Sequence, residues 1–175
     1  MSNTPNQHMT TEFFVGLPPE KPDGTPTLTI TDLKKSIGEE FVGDWFKIDP
    51  ISNDSFCQST YIDVIYDDSN PQAVYEEHLI EGFYLVSLID ALKARVYKDD
   101  PAFYALNYGS NRLRFVEQVT LNSILQFSCV VESVMKKHEG YLVELECKIS
   151  IKGIERPALI YSILYYLAPM PIDHQ

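Results

Sequence analysis

The sequence has few of the features that mark secreted, disulfide-bonded proteins. Its 175 residues contain three cysteines, Cys57, Cys129 and Cys147, which lie far apart and have no paired spacing. Because the count is odd and the N-terminus lacks a basic and apolar signal segment, we expect reduced thiols in a cytoplasmic protein. Cys129 and Cys147 fall in apolar, strand-like segments, so we expect both to be buried as small hydrophobic side chains.

Long apolar runs, clustered histidines and an excess of positive charge are also absent. The longest apolar stretch, residues 159–169, is too short for a helix that spans a bilayer, so no membrane association is expected. His8, His138 and His174 fall in an arm, a turn and a tail, which argues against a metal site, and no cofactor motif is present. The net charge of −11 argues against a nucleic-acid partner, which would need a basic surface.

The distribution of proline, glycine and polar residues predicts one domain with two flanking segments. Residues 1–28 are rich in Thr, Pro, Asn and Gly and are predicted to form an irregular N-terminal arm, whose apolar residues 13–17 can dock on the body. Residues 29–168 form the predicted domain and residues 169–175 a C-terminal tail. A chain of this length can bury a sizeable core without disulfides.

Local patterns in the first half predict short helices, short strands and one buried helix. Residues 31–38 resemble a helix that Thr31 caps and Gly38 ends, and residues 50–57 a helix with Pro50 in its first turn. Residues 43–48 and 61–66 are predicted to form strands. In residues 78–96, apolar side chains recur at three- and four-residue steps and cover most sides, as in a buried helix.

The second half predicts long antiparallel strands. Residues 123–135, 141–151 and 158–167 are extended and apolar or alternating, and turn sequences at 136–140 and 152–157 join them. One buried helix before a run of long strands favours an α+β domain in which an antiparallel sheet wraps around the helix.

Three segments also resemble a known family. Residues 32–46 hold Asp-Leu, Gly-Glu and Gly-Asp-Trp-Phe; residues 80–83 read Ile-Glu-Gly-Phe; residues 106–115 read Leu-Asn-Tyr-Gly-Ser-Asn-Arg-Leu-Arg-Phe. Their order and spacing resemble the MaoC-like hydratases, most closely the single-domain branch that includes nodulation protein N. The resemblance covers residues 30–168 and implies a single hot-dog fold. It also implies an acyl thioester as ligand, on coenzyme A or an acyl carrier protein, in fatty acid or polyketide metabolism, and pairing into dimers.

The family's catalytic residues are not matched. Its active enoyl hydratases, which are lyases, use an Asp and a His five residues apart on a loop before the helix, as base and acid for adding water. In this sequence those positions fall on Tyr61 and Tyr66 in one register and on Ile62 and Asp67 in another. The family's His before the helix glycine is replaced by Glu81.

Four residues are candidate catalytic groups: Glu81, Asp67, Tyr66 and His78; Asp63 is a further possible base. Each has a simpler interpretation. Tyr66 is a poor base near neutral pH and suits a half-buried strand, Asp67 lies in a turn sequence, and His78 suits a surface position. Glu81 is either a cap or dipole partner of the helix or a functional carboxylate.

The candidate substrate-binding residues come from the family-like helix start and from the family-like run of residues 106–115. They are Gly82, Phe83, Asn107, Tyr108, Gly109, Arg112 and Arg114. The i, i+2 spacing places Arg112 and Arg114 on one face of a strand and Leu113 and Phe115 on the other. The two guanidinium groups suit a coenzyme A phosphate or a structural ion pair.

Three functions are therefore kept open. The first is an acyl-thioester-binding protein of the hydratase lineage without the standard dyad. The second is an active (R)-specific enoyl hydratase or 3-hydroxyacyl dehydratase with a different acid and base. The third is a non-catalytic subunit that pairs with a catalytic hot-dog subunit; homodimers and heterodimers are both compatible with the sequence.

Overall fold

The computed structural model describes residues 13–16, 24–65 and 79–171. Tyr66, Asp67 and His78 therefore lie outside the described residues. In chain order the elements are β1 (Phe14–Val15), β2 (Thr27–Leu28), α1 (Ile30–Lys35), β3 (Glu40–Lys47), α2 (Pro50–Ser59), α3 (Ile62–Ile65), α4 (Gly82–Ser87), α5 (Ile89–Val96), β4 (Lys98–Asp99), β5 (Phe103–Phe115), β6 (Leu125–Lys137), β7 (Gly140–Ile151) and β8 (Leu159–Pro169).

Six strands form one sheet in the order β1-β3-β6-β7-β8-β5, and β2 pairs with β4 in a separate two-stranded ribbon. The predicted meander of β6, β7 and β8 is confirmed, and all contacts in the large sheet are antiparallel except that of β1 with β3. The described part of the arm docks as predicted, because Phe14 and Val15 pair with the end of β3. β5 forms one edge of the sheet.

The core lies between one face of this sheet and the helices. Alternate side chains of β6 and β7, such as Phe127, Cys129 and Leu145, are buried, and Ile89 and Leu92 of α5 pack into the same cluster. Both strand cysteines are buried as predicted. Burial raises the pKa of the Cys129 thiol to about 12, so it is an unreactive apolar side chain rather than a nucleophile.

Two short elements differ from the prediction. The first helix begins at Ile30, because Thr29 rather than Thr31 caps it through a reciprocal pair of bonds with Asp32. The strand predicted for residues 61–66 is wrong over the described part. Tyr61 has a positive φ of 60° that ends α2, and the chain then enters the single turn of α3. A segment of four mainly apolar residues fits one helical turn as well as a strand.

The predicted helix of residues 78–96 is shorter and interrupted. Leu79 and Ile80 are extended and bridge to the chain near Val119. The helix then begins at Gly82 and breaks at Leu88. The Ser87 hydroxyl donates to the Tyr84 carbonyl oxygen at 2.6 Å and so competes with the backbone bonds of the helix. Burial is one-sided: Leu85 and Ile89 are buried, whereas Phe83 is 58% exposed.

In the part of the chain that the structure describes, no helix has both the length and the apolar character needed to cross a membrane. The cytoplasmic location stays a prediction.

Candidate functional site

A cavity of about 260 Å³ lies where the start of α4 meets the end of β5. The chain is held there by two backbone bonds: Ile80 N–H donates to the Val119 carbonyl oxygen at 2.7 Å, and Val116 N–H donates to the Ala158 carbonyl oxygen at 2.8 Å. The walls are mainly apolar, and Glu81, Glu117 and Gln118 supply the polar groups. A concave apolar site with a few polar groups is typical of a small-ligand site.

Gly82 is required by a close approach within this wall. A Cβ built at Gly82 would lie 2.7 Å from Cε1 of Phe115, well inside contact distance. The Phe115 ring also contacts the Phe83 ring edge to face, with centroids 5.6 Å apart. The structure therefore brings three of the family-like residues, Gly82, Phe83 and Phe115, into one wall beside the cavity.

Glu81 occupies the N-cap position of α4, but its side chain forms no capping bond. Across residues 13–16, 24–65 and 79–171 its carboxylate has neither a hydrogen bond nor an ion pair, and the residue lines the cavity. Glu117, the other carboxylate of the lining, is paired with Arg156 at 3.0 Å. The capping role considered for Glu81 therefore does not apply, and its carboxylate is available to a ligand.

Asn107 lies on the same face of β5 as Phe115, farther along the strand, and ties this edge strand to α5. Its amide donates to one carboxylate oxygen of Asp90 at 3.3 Å, and the Tyr165 hydroxyl donates to the other. Burial and the Asp90 carboxylate together raise the pKa of Tyr165. The bond to Asp90 therefore gives Asn107 a structural role, and Asn107 does not line the cavity.

Tyr108 and Gly109 sit at irregularities of β5, where its register against β8 shifts. The Tyr108 hydroxyl accepts from the Lys137 ammonium at 2.5 Å, and that ammonium also lies 4.0 Å from the centre of the Tyr108 ring. A Cβ at Gly109 would meet nothing within 4 Å. Neither residue lines the cavity.

Arg112 and Arg114 share a face of β5, as their spacing predicts, and it is the face opposite the helices. Their Cα partners on β8 are Ser162 and Ile160, whereas Leu113 packs against the core. Arg114 donates to the Leu113 carbonyl oxygen at 3.2 Å. The structure does not bring the two arginines together with Glu81 and Gly82.

Asp63, the further candidate base, lies on α3 and is exposed. Of the positions that align with the family's dyad, Tyr61 and Ile62 are described, and neither lines the cavity. Tyr61 is 73% exposed.

Two features were missed from the sequence. Lys93 is buried, with 6% of its side chain exposed, and contacts both carboxylate oxygens of Asp99 at 2.6 and 2.7 Å. Its burial could have been predicted from its position, because Lys93 lies four residues after Ile89 and three before Val96, on the apolar face of the helix. The second feature is a cavity of about 330 Å³ at the end of β3, whose lining includes Tyr84 and Ser52. Burial raises the pKa of Tyr84.

Comparisons with known proteins give structural matches only. Neither protein-family models nor curated protein sequences give a significant match. Among solved structures, the chain is similar to a monoamine oxidase regulatory protein from Archaeoglobus fulgius, with a TM-score of 0.59 and 14% identity over 77% of this chain and 92% of that one.

Two further structures are similar over comparable lengths. A MaoC-like dehydratase from Rhodospirillum rubrum gives a TM-score of 0.54 and 9% identity, over 78% of this chain and 94% of its own. An (R)-hydratase from A. caviae, involved in PHA biosynthesis, gives 0.54 and 14%, over 77% and 96%. At these identities the likeness establishes the fold, and the predicted α+β hot-dog domain is confirmed.

Proposed function

We propose that this chain is an acyl-thioester-binding hot-dog protein, and that the acyl group lies in the cavity beside the start of α4. The observation that supports this most is the cavity itself: an apolar wall of Gly82, Phe83 and Phe115 next to a carboxylate with no partner among the described residues. The volume of about 260 Å³ is just below the usual range for ligand sites, about 300–1,000 Å³. A short acyl chain fits it best.

The proposal does not include the standard catalytic dyad. Tyr61 and Ile62 stand at the family's Asp position in the two registers, and neither side chain is a base at neutral pH. If the thioester carbonyl lay beside Glu81, as the resemblance to the hydratases implies, the carboxylate would repel the developing enolate. Both points favour binding without ordinary hydration.

The unpaired carboxylate of Glu81 also supports a second candidate, a hydratase or dehydratase in which Glu81 acts as the base. Hydration of crotonyl thioesters by the full chain, abolished in Glu81→Gln, would establish this second candidate. No turnover above the uncatalysed rate would favour binding alone.

The partner in solution is proposed to be a second copy of the chain or a related hot-dog subunit. β5 is a thirteen-residue strand at the edge of the sheet, and Leu106 and Tyr108 on it are 46% and 53% exposed. Its two register shifts restrict regular strand pairing to the segments on either side of them. Size-exclusion chromatography with light scattering distinguishes a homodimer from a monomer that would pair only with a different subunit.

Binding is tested by calorimetry and thermal unfolding with butyryl-pantetheine and butyryl-coenzyme A. Ligand at a hundred times its dissociation constant stabilises the fold by about 2.7 kcal/mol, which raises the melting temperature by about 5–10 °C. Val116→Trp fills the cavity and is expected to abolish the rise. Val42→Trp, on an exposed position of β3, is the matched control and is expected to keep it. Equal binding by both variants would contradict the site.

A further inference from the structure

The charge of the chain is concentrated in one segment. Residues 48–92 contain no lysine and no arginine. They contain nine carboxylates: Asp49, Asp54, Asp63, Asp67, Asp68, Glu76, Glu77, Glu81 and Asp90. This segment includes α2, α3 and α4, and its residues 79–85 supply one wall of the cavity.

At the cavity itself the charge is unbalanced. Among the ion pairs of the described residues, Arg156 is the cation that contacts the lining, and it is already held there by Glu117 at 3.0 Å. Glu81 therefore adds one uncompensated negative charge to the wall. Other carboxylates lie in the same region. Burial raises the pKa of the Cys57 thiol, and the negative charges of Asp54, Glu81 and Asp63 raise that pKa further.

A carboxylate on an apolar wall is costly unless a donor or a cation pairs with it. Among the described residues no donor or cation pairs with Glu81, and the Gln118 amide of the lining forms no bond with it, so the carboxylate is open to a ligand. An ammonium group satisfies both the charge and the hydrogen bonds of the carboxylate, whereas a methyl group satisfies neither. An anionic acyl group would be repelled.

We propose that the cavity beside α4 selects an acyl thioester whose acyl chain carries an ammonium group, and that Glu81 is the residue that binds this ammonium. The inference rests on the proposed function, because it names the class of acyl group that the same site takes. Glu81 is thereby assigned as a specificity-determining residue.

Three pantetheine thioesters of nearly equal size separate the possibilities. β-Alanyl-pantetheine ends in an ammonium, 3-hydroxypropionyl-pantetheine in a hydroxyl and butyryl-pantetheine in a methyl group. Pantetheine esters carry no phosphate, so the only charge compared is that of the acyl group. Dissociation constants are measured by calorimetry for the wild type, for Glu81→Gln and for Glu155→Gln, which removes an exposed carboxylate from outside the cavity lining.

The wild type is expected to bind the β-alanyl ester about tenfold or more tightly than the butyryl ester, with the hydroxyl ester between them. Glu81→Gln is expected to lose this preference, and Glu155→Gln to keep it. In the wild type alone, raising NaCl from about 50 mM to about 500 mM should weaken β-alanyl binding and leave butyryl binding nearly unchanged. The comparison of the two salt concentrations uses only the wild type, so it remains informative even if Glu81→Gln does not fold.

Butyryl binding as tight as β-alanyl binding, or a preference that Glu81→Gln retains, would overturn the ammonium assignment and leave the proposed function intact. A hydroxyl ester that binds more tightly than the β-alanyl ester would also overturn it. Failure of all three esters to bind the folded wild type would overturn the proposed function itself, and the inference with it.

Discussion

Residues 48–92 and residues 103–169 form the two sides of the cavity and differ sharply in charge. The first segment carries nine carboxylates and no lysine or arginine; the second carries six carboxylates and seven lysines and arginines. In the strand segment opposite charges pair with each other, as in Lys148 with Glu146 at 2.9 Å and Arg156 with Glu117 at 3.0 Å. The comparison indicates that positive and negative charges nearly balance in the strand segment, whereas the helical segment carries an excess of negative charge.

The two segments also differ in what fixes their conformation. β7 has a neighbouring strand on both sides along most of its length. α4 is a single short helix that begins at an uncapped residue and is followed by a break at Leu88. Damage to the strands should therefore affect stability most, and damage to the start of α4 should affect the site more than the fold.

The largest effect is expected at Gly140, where β7 begins. A Cβ there would lie 2.1 Å from the Leu167 carbonyl oxygen, which is backbone and cannot turn aside. Gly140→Val should lower the free energy of unfolding by more than about 3 kcal/mol or prevent folding. Gly109→Val, whose Cβ meets nothing within 4 Å, is the control and should change it by less than about 0.5 kcal/mol. Urea titration measures both, and similar losses would contradict this explanation.

The next effect is expected at the buried pair Lys93–Asp99. Lys93→Met removes one charge and leaves Asp99 without its partner, so it should cost about 3 kcal/mol. In the double variant Lys93→Met, Asp99→Asn both charges are gone, and much of the loss should be recovered. A double-mutant cycle from urea unfolding gives the coupling; additive losses would show that the pair does not interact as described.

The strand meander could be predicted because each strand contains its own alternating pattern and the turns are short and polar. The single face shared by Arg112 and Arg114 followed from the same period of two. The break at Leu88 could not be predicted, because the apolar pattern continues across it and the competing bond of Ser87 to the Tyr84 carbonyl oxygen leaves no trace in that pattern.

Part of the site was accessible to sequence reasoning and part was not. The Ile-Glu-Gly-Phe motif predicted that Glu81, Gly82 and Phe83 belong together, and the three residues line one cavity. That Asn107 bonds Asp90, and that Arg112 and Arg114 lie on the opposite face, depends on how β5 packs against α5 and β8. Contacts between residues far apart in sequence produce no local sequence pattern, so these positions could not be predicted.

A smaller effect is expected at Gly82. Gly82→Ala places a methyl group against the Phe115 ring, and because that ring can move, the cost should be about 1–2 kcal/mol. In a Phe115→Leu background the same substitution should cost less. Thermal unfolding of the four proteins measures the difference. An unchanged cost in that background would contradict the contact as the reason for the glycine.

The smallest effect concerns Glu144 on β7. Hydrogen bonds from Ser162 and then Asn111 lower its pKa in the folded state. Because the folded pKa is below the unfolded one, its stabilisation is complete above the unfolded pKa of about 4.3 and is lost as the pH falls through the folded pKa. Wild type should therefore be more stable than Glu144→Gln at pH near 6, and this advantage should shrink at pH near 3. A constant difference across that range would contradict it.

The cavity beside α4 as the site of the acyl group is tested most directly by a crystal structure of the chain with butyryl-pantetheine. We expect the acyl chain to lie against Gly82 and Phe115 with its end next to Glu81. An acyl chain in the second cavity, against Tyr84 and Ser52, or on the outer face beside Arg112 and Arg114, would contradict it.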